Sequence, residues 1–178
     1  MELLAPAGSR QALTAAVQSG ADAVYLGGPQ FGARYSAENF TIEEMKTWVD
    51  YCHLYGVDVH VTVNTLVKEK EIESLKEYLK QLNKIGVDAL IVQDMGAVEI
   101  IKKTVPDMTL HASTQMTVTS LEGVKYLEDM GFSRVVLARE LSEKEIEHIC
   151  KNAKAEIEVF VHGAICMCYS GQCLMSSI

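Results

Sequence analysis

One short pattern recurs along the chain and limits what it can fold into: a glycine followed by an apolar, β-branched run. The pattern starts at Gly20, Gly56, Gly86 and Gly131, and residues 57–63 are a typical run. Glycine suits the left-handed position just past the end of a helix. A nearly continuous apolar run is typical of a strand that is buried on both faces. The pattern therefore predicts helices that alternate with buried parallel strands.

Seven strands and six helices are predicted in this way. The strands fall within residues 2–5, 20–26, 56–63, 86–92, 108–113, 131–137 and 156–161. Five helices are expected near residues 9–19, 42–52, 72–82, 96–104 and 120–130, and a sixth follows Ser142. Thr41 with Glu44, and Ser142 with Glu145, have the spacing of a capping box at a helix start.

The strict alternation of strand and helix predicts a parallel sheet with right-handed crossovers. Seven units of roughly 25 residues match a TIM barrel, which has eight in ~250 residues. A doubly wound sheet is the alternative, but no G-x-G-x-x-G motif follows the first strand. We expect an α/β fold, an incomplete TIM-like barrel that forms a single domain over residues 1–178 and is the truncated N-terminal part of a longer protein. An unclosed barrel exposes sheet edges, so we also expect self-association.

Charge and hydropathy narrow the class of partner and the compartment. The net charge of −8 argues against a broad nucleic-acid platform, which would need a basic surface, but leaves room for a local basic groove. No apolar run approaches the ~20 residues of a membrane helix. The N-terminal residues have no secretory signal pattern, so we expect a cytoplasmic protein that does not contact a membrane.

Polar residues are concentrated where the predicted strands end. In a barrel of this type the reactive residues lie at the carboxyl ends of the strands. His111 and Gln115 would alternate onto one strand face, as would Glu158 and His162, and Arg139 follows the sixth strand. We therefore expect these five side chains to line one pocket. The alternative is that they cap helices, satisfy loop backbone or form hydrogen bonds in the core.

The five cysteines fall into two groups. Cys52 and Cys150 lie in predicted helices beside apolar residues, which is typical of small core side chains. Cys166, Cys168 and Cys173 lie together in a short loop, where thiolates suit zinc or an iron–sulfur cluster. Both kinds of centre need four ligands, so at least one further ligand is expected outside this chain. The alternative is a set of reduced thiols without a metal.

The segment from Glu158 to Ser176 resembles the signature of the U-32, or collagenase-like, peptidase family. That signature reads Glu-x-Phe-x-x-Gly-Ala-aliphatic-Cys-x4-Gly-x-Cys-x-aliphatic-Ser, and every fixed position is met. The Cys-containing part of the segment is residues 163–178. Further similarity lies upstream, at residues 2–8, 22–28, 61–64, 93–94, 111–116 and 139–142, so the resemblance covers essentially the whole chain.

The resemblance implies a TIM-like barrel that is followed by further C-terminal segments. Several members of the family support hydroxylation of a tRNA wobble uridine, of a ribosomal RNA cytidine or of the ubiquinone ring. The ubiquinone members hold a [4Fe–4S] cluster through four cysteines, of which two correspond to Cys166 and Cys173. The other two fall in a segment that this chain lacks, so it is expected to bind a cluster poorly or not at all. Cys168 is outside the signature and is not expected to be a ligand.

The first functional hypothesis is an iron–sulfur-dependent enzyme that hydroxylates RNA. His111, Gln115, Arg139, Glu158 and His162 would line its substrate pocket. Arg139 would hold RNA or a small anionic co-substrate, since its guanidinium fits carboxylate or phosphate, and Glu140 would point to the other face of the strand. A second U-32 subunit is a further expected partner.

Two other hypotheses remain open. One is a collagenase-like peptidase with a thiolate–imidazole pair, for which Cys166 and His162 are close in sequence. Neither the zinc-protease motif H-E-x-x-H nor the serine motif G-x-S-x-G is present. The other is a non-catalytic subunit that scaffolds a partner enzyme and uses the cluster for electron transfer or stability.

Overall fold

A computed structural model of the chain describes residues 1–33, 40–163 and 166–173. The chain divides into two compact units, Met1–Met108 and Thr109–Ile178. The single domain expected over residues 1–178 stays a prediction. Among the described residues no helix has the length and apolar character needed to cross a membrane.

The first unit alternates four strands with four helices. Its strands β1 to β4 pair in chain order, and every pairing is parallel. Its elements are β1 (Leu4–Pro6), α1 (Arg10–Gln18), β2 (Ala23–Gly27), α2 (Ile42–Leu54), β3 (Asp58–Val63), α3 (Ile72–Ile85), β4 (Ala89–Val92) and α4 (Met95–Thr104), with a 3-10 turn at Glu69–Glu71 before α3.

The second unit continues the same alternation with three strands. The central strand β6 pairs in parallel with β5 on one side and with β7 on the other. Its elements are β5 (Thr109–Ala112), a 3-10 turn at Thr114–Met116, α5 (Leu121–Asp129), β6 (Arg134–Val136), α6 (Glu143–Asn152) and β7 (Glu156–Glu158). All seven predicted strands and six predicted helices are thus present.

The predicted helix ends have the expected chemistry. Gly20, Gly56, Gly86 and Gly131 all have positive φ, between 70° and 86°. Gly86 ends α3 in the left-handed conformation, and its N–H donates to the carbonyl oxygen of Asn83 at 3.2 Å. The capping boxes at Thr41 and Ser142 are also confirmed.

The last strand is shorter than predicted. We expected a strand over residues 156–161, but the ladder with β6 ends where Val136 pairs with Glu158. Val159, Phe160 and Val161 follow with exposed fractions of 38%, 50% and 85%. An apolar run forms a strand only where a neighbouring strand offers it partners, and a sequence pattern does not report the partner.

The core consists of strand side chains and the inner faces of the helices. Val59, Val61 and Val63 of β3 are fully buried, and Leu79 of α3 is equally buried. Cys52 is a core residue as predicted, and burial raises the pKa of its thiol to about 11. The same expectation for Cys150 is wrong, because the inward position of its helix is taken by Ile149 and Cys150 is exposed.

Candidate functional site

All of the predicted site residues lie in the second unit, in or just after its three strands. The segment after β5 carries Gln115, the turn after β6 carries Arg139, and the chain after β7 leads to the three clustered cysteines. In parallel α/β folds these carboxyl ends are where ligands bind. The arrangement at each strand end therefore decides which predicted residues meet.

The three cysteines of the loop converge. The sulfur atoms of Cys166, Cys168 and Cys173 all lie within 4.8 Å of one another. Cys166 is exposed and the other two are half-buried. A hydrogen bond to the Cys173 thiol, together with the nearby charge of Cys173, raises the pKa of Cys168 above its ordinary value. Cys168, which was not expected to be a ligand, thus lies beside the two predicted ligands. In the sequence, the Cys-x-Cys spacing of Cys166 and Cys168 was the signal that indicated this proximity.

A buried serine holds this thiol segment, residues 166–173, in place. Ser170 is 1% exposed, and its hydroxyl accepts hydrogen bonds from the backbone N–H of Arg139 at 3.2 Å and from its Nε at 3.3 Å. The N–H of Ser170 donates to the Glu140 carboxylate at 2.9 Å, and its carbonyl oxygen accepts from the Thr117 hydroxyl at 2.7 Å. We call these contacts the Ser170 clamp. They join the thiol segment to the strand ends of β5 and β6.

The residue after the clamp serine allows the close approach. Gly171 has a φ of +75°, a left-handed conformation that favours glycine. A Cβ atom at this position would overlap the carbonyl oxygen of Gln115 and lie 2.8 Å from the Thr117 hydroxyl oxygen. The thiol segment therefore packs directly against the turn that follows β5, where a larger residue would push it away.

Arg139 and Glu140 have different positions from those predicted. Both lie in a turn after β6, which ends at Val136, so they do not occupy opposite faces of a strand. Both are exposed and both bind Ser170. Burial alone would raise the pKa of Glu140, but the hydrogen bonds from Ser170 lower it below its ordinary value. The Arg139 Nη2 also lies 3.4 Å from the Cys168 carbonyl oxygen, so its guanidinium reaches the thiol segment.

Gln115 reaches the same place from β5. The strand ends at Ala112, and Ser113 then caps a 3-10 turn by accepting from the Gln115 N–H at 3.2 Å. We had expected the alternation of β5 to extend to Gln115, but it stops at the end of the strand. The side-chain Oε1 of Gln115 is buried and has no hydrogen-bond partner within the described part of the chain.

His111 and Glu158 belong to the strands beneath. His111 is 4% exposed in β5 and is paired in register with Arg134 of β6. Arg134 donates to the Glu156 carboxylate from Nε at 2.9 Å, and its Nη1 lies 3.7 Å from the Glu158 carboxylate. Sequence reasoning missed Arg134, although a charge inside a predicted buried strand was a signal for it.

His162 does not share a strand face with Glu158. β7 ends at Glu158, and His162 lies exposed in a bend four residues later. The predicted alternation over residues 158–162 is wrong because, in the part of the chain that the structure describes, the ladder of β7 ends at Glu158. The structure therefore brings together Gln115, Arg139 and the three thiols, while His111 and Glu158 lie in the strands and His162 lies at the surface.

Comparisons with known proteins cover nearly the whole chain. A family model described as "Peptidase family U32" matches residues 8–178. The chain is 45% identical to the "23S rRNA 5-hydroxycytidine C2501 synthase" of Escherichia coli (strain K12), over 99% of this chain and 26% of that protein. It is 41% identical to the "tRNA hydroxylation protein P1" of Bacillus subtilis (strain 168), over 99% of this chain and 42% of that protein. It thus spans less than half the length of these two relatives.

A solved structure shows the fold. "The Structure of the U32 Peptidase Mk0906" matches with a TM-score of 0.74 at 20% identity, over 89% of this chain and 68% of that one. The predicted fold class is confirmed: a TIM-like (β/α)-barrel fold with seven parallel strands among the described residues.

Proposed function

Because the chain belongs to peptidase family U32, we propose that it is the barrel part of a protein that hydroxylates RNA. One observation carries this proposal: two relatives that are 41% and 45% identical over 99% of the chain are named for hydroxylation of tRNA and 23S rRNA. Since the chain spans 26% and 42% of those relatives, the proposal concerns the activity of the whole protein.

The thiol segment supports a proposal for the cofactor. Cys166 and Cys173 would bind two corners of a [4Fe–4S] cluster, and the other ligands would come from outside the described residues. The donor chemistry fits, because thiolates are the ligands that such clusters use, the cysteines of this segment converge in one group and Cys166 is open to solvent. Such a cluster supplies one-electron redox chemistry at a potential that its surroundings set.

The polar residues would divide the remaining work. Arg139 is exposed and reaches the thiol segment, so its guanidinium can hold a phosphate of RNA or a small anionic co-substrate there. Gln115 can donate and accept hydrogen bonds beside it, and the exposed His162 offers an imidazole to a bound substrate. His111 and Glu158 would position these groups from within the strands, Glu158 through its contact with Arg134.

The charge of the chain limits how RNA would be bound. With a net charge of −8, the RNA contact would be confined to the region around Arg139. Other basic surface would have to come from elsewhere in the protein or from a second U32 subunit. An RNA substrate and cysteines that form no disulfide among the described residues both fit a cytoplasmic location. Self-association of the chain stays a prediction that light scattering can test.

Nucleoside analysis after gene deletion tests the proposal. We expect one hydroxylated pyrimidine to disappear, and separate digestion of tRNA and rRNA tells which RNA carried it. The wild-type gene and the Cys150→Ala variant should restore the nucleoside, because Cys150 lies on a helix outside the thiol group. Cys166→Ala and Cys173→Ala should not restore it. An unchanged set of hydroxylated nucleosides in the deletion strain would contradict the proposal.

The peptidase alternative has less support from the geometry. A cysteine peptidase needs a thiolate paired with an imidazole. His162 and Cys166 are both exposed, and no hydrogen bond joins them in the residues that the structure describes. We expect the whole protein not to cleave gelatin. Cleavage that Cys166→Ala abolishes would favour the peptidase instead.

A further inference from the structure

One exposed aromatic ring lies on the thiol segment, next to the guanidinium that would hold RNA. We propose that Tyr169 is a stacking surface for one unpaired base of the RNA substrate. This inference rests on the proposed function, because it concerns how the same site holds its RNA. It also gives the site a specificity, since a base reaches the ring only where it is not already paired and stacked in a duplex.

The ring of Tyr169 is not used by the packing of the described residues. Its side chain is 70% exposed, and in the described part of the chain it makes neither a hydrogen bond nor a contact with another ring. Its neighbours in the chain are held, because Cys168 is half-buried and Ser170 is buried in the clamp. An exposed ring on a fixed stretch of backbone binds a ligand at little cost in conformational entropy.

The Arg139 guanidinium bonds to the residues on both sides of this ring in the chain. Its Nη2 donates to the Cys168 carbonyl oxygen at 3.4 Å, and its Nε donates to the Ser170 hydroxyl at 3.3 Å. Consecutive Cα atoms are only about 3.8 Å apart, so the cation and the ring share one small area of surface. Proteins hold single-stranded nucleic acid with this combination, in which the ring takes a base and the cation takes the backbone.

The charge of this area favours an uncharged contact in addition to an ionic one. Glu140 follows Arg139, is exposed and accepts from the Ser170 N–H at 2.9 Å, so a carboxylate lies close to the guanidinium. The net charge of the chain, −8, also works against phosphate contacts. Stacking needs no charge, because every base has a π-face. We therefore expect a substantial part of the RNA affinity of this area to come from Tyr169.

Binding of single-stranded oligouridine to the whole protein, purified without oxygen and followed by fluorescence anisotropy, tests the stacking surface. Tyr169→Ala should weaken binding by about 5- to 150-fold, the range that corresponds to one lost base–aromatic stack. The salt dependence of binding should stay that of the wild type, since no phosphate contact is lost. Tyr169→Phe keeps the ring and should bind like the wild type. Tyr126→Ala is the matched control, because Tyr126 is 61% exposed on α5 of the same unit, and it should change nothing.

Two results of this titration would overturn the proposal. One is wild-type affinity in Tyr169→Ala. The other is equal weakening in Tyr169→Ala and Tyr169→Phe, which would assign the effect to the hydroxyl rather than to the ring. A displaced thiol segment would also weaken binding, so the alkylation rate of Cys168 is measured in the same variants, and we expect it to stay at the wild-type value.

Photocrosslinking of the unmodified protein gives a second test that needs no variant. An oligouridine that contains 5-iodouridine should crosslink to Tyr169 on irradiation, as mapped by mass spectrometry. Annealing to oligoadenosine should suppress this crosslink, because the bases are then stacked within a duplex. Crosslinks that map only to other residues, or no binding of oligouridine at all, would overturn the proposal. Loss of the hydroxylated nucleoside in the deletion strain together with a failed Tyr169 test would reject the stacking alone, whereas unchanged nucleosides would reject the RNA proposal itself.

Discussion

Replacing Ser170 by alanine should release the thiol segment without touching a cysteine. The hydroxyl accepts two hydrogen bonds from Arg139, at 3.2 and 3.3 Å, and lies 3.4 Å from the Glu140 carboxylate. Alanine removes all three contacts but keeps the backbone bonds of residue 170 to Glu140 and Thr117. The variant therefore weakens the clamp rather than abolishing it.

The structure gives the size of the effect. An ordinary hydrogen bond contributes about 0.5–1.5 kcal/mol, and a buried donor left without a partner costs about 1–3 kcal/mol. The Arg139 side chain is exposed, so water replaces the lost bond to its Nε, whereas its backbone N–H is partly buried. We therefore expect the docked segment to lose about 1–2 kcal/mol relative to an undocked one, roughly a 5- to 30-fold change in that equilibrium.

Thiol alkylation under native conditions measures this equilibrium. Cys168 is half-buried and reacts fastest when the segment undocks, so its alkylation rate should rise by roughly 5- to 30-fold in Ser170→Ala. The exposed Cys166 should change much less and serves as an internal standard. Ser120→Ala is the matched control: it removes the helix-cap bond from Gly123, at 3.1 Å, and should cost ~1 kcal/mol of stability without a change at Cys168. A wild-type rate at Cys168 in Ser170→Ala would refute the reasoning.

Three further substitutions test other parts of the second unit. Gly171→Ala should lower the urea midpoint more than Gly20→Ala, because both residues have positive φ but only the first Cβ meets other atoms; equal losses would contradict the close contact. Arg134→Met should cost about 2 kcal/mol of unfolding free energy, since it leaves the Glu158 carboxylate, 20% exposed, without its cation; a loss no larger than that of a surface substitution would argue against the pair. Hydrogen bonds from the backbone of Ala155 and Lys154 lower the pKa of Glu128, so its stabilising effect is present above the ordinary pKa of a glutamate, ~4.3, and lost as pH falls through the lowered value. Glu128→Gln should therefore differ most from wild type in urea unfolding at neutral pH and least in acid, and a constant difference would contradict this.

The elements of the fold were predictable because their signals are local. A glycine with positive φ followed by an apolar run, such as Gly86 before β4, reports a helix end and a buried strand within a few residues. Helix caps such as Thr41 with Glu44 are equally local. The end of β7 was not predictable, because Val161 is apolar and β-branched like a strand residue but pairs with no strand among the described residues.

The site was predicted less well because its contacts join distant parts of the chain. The bonds of Ser170 reach residues 31 and 53 positions away. No periodicity reports such a contact, and serine in a loop is ordinary. Proximity of the cysteines in sequence did predict a thiol group, but the exclusion of Cys168 came from the family signature rather than from geometry. A buried charge is costly unless it is paired. The charge of Arg134 inside a predicted strand was visible in the sequence and therefore indicated an ion pair in the neighbouring strand.

Arg139 takes part in two kinds of interaction, and an alanine substitution alone would not separate them. Its guanidinium can serve as a cation for RNA, yet it also holds Ser170 and reaches the Cys168 carbonyl oxygen. Loss of activity in Arg139→Ala would therefore not distinguish lost charge from a displaced thiol segment. Arg139→Lys separates the two, because lysine keeps the charge but has no Nε fork to reproduce the clamp. If the clamp is its main role, both variants should raise the alkylation rate of Cys168 and lower nucleoside hydroxylation together. If the charge matters more, Cys168 should be alkylated faster in Arg139→Lys, while the amount of hydroxylated nucleoside in the RNA should stay close to that of the wild type.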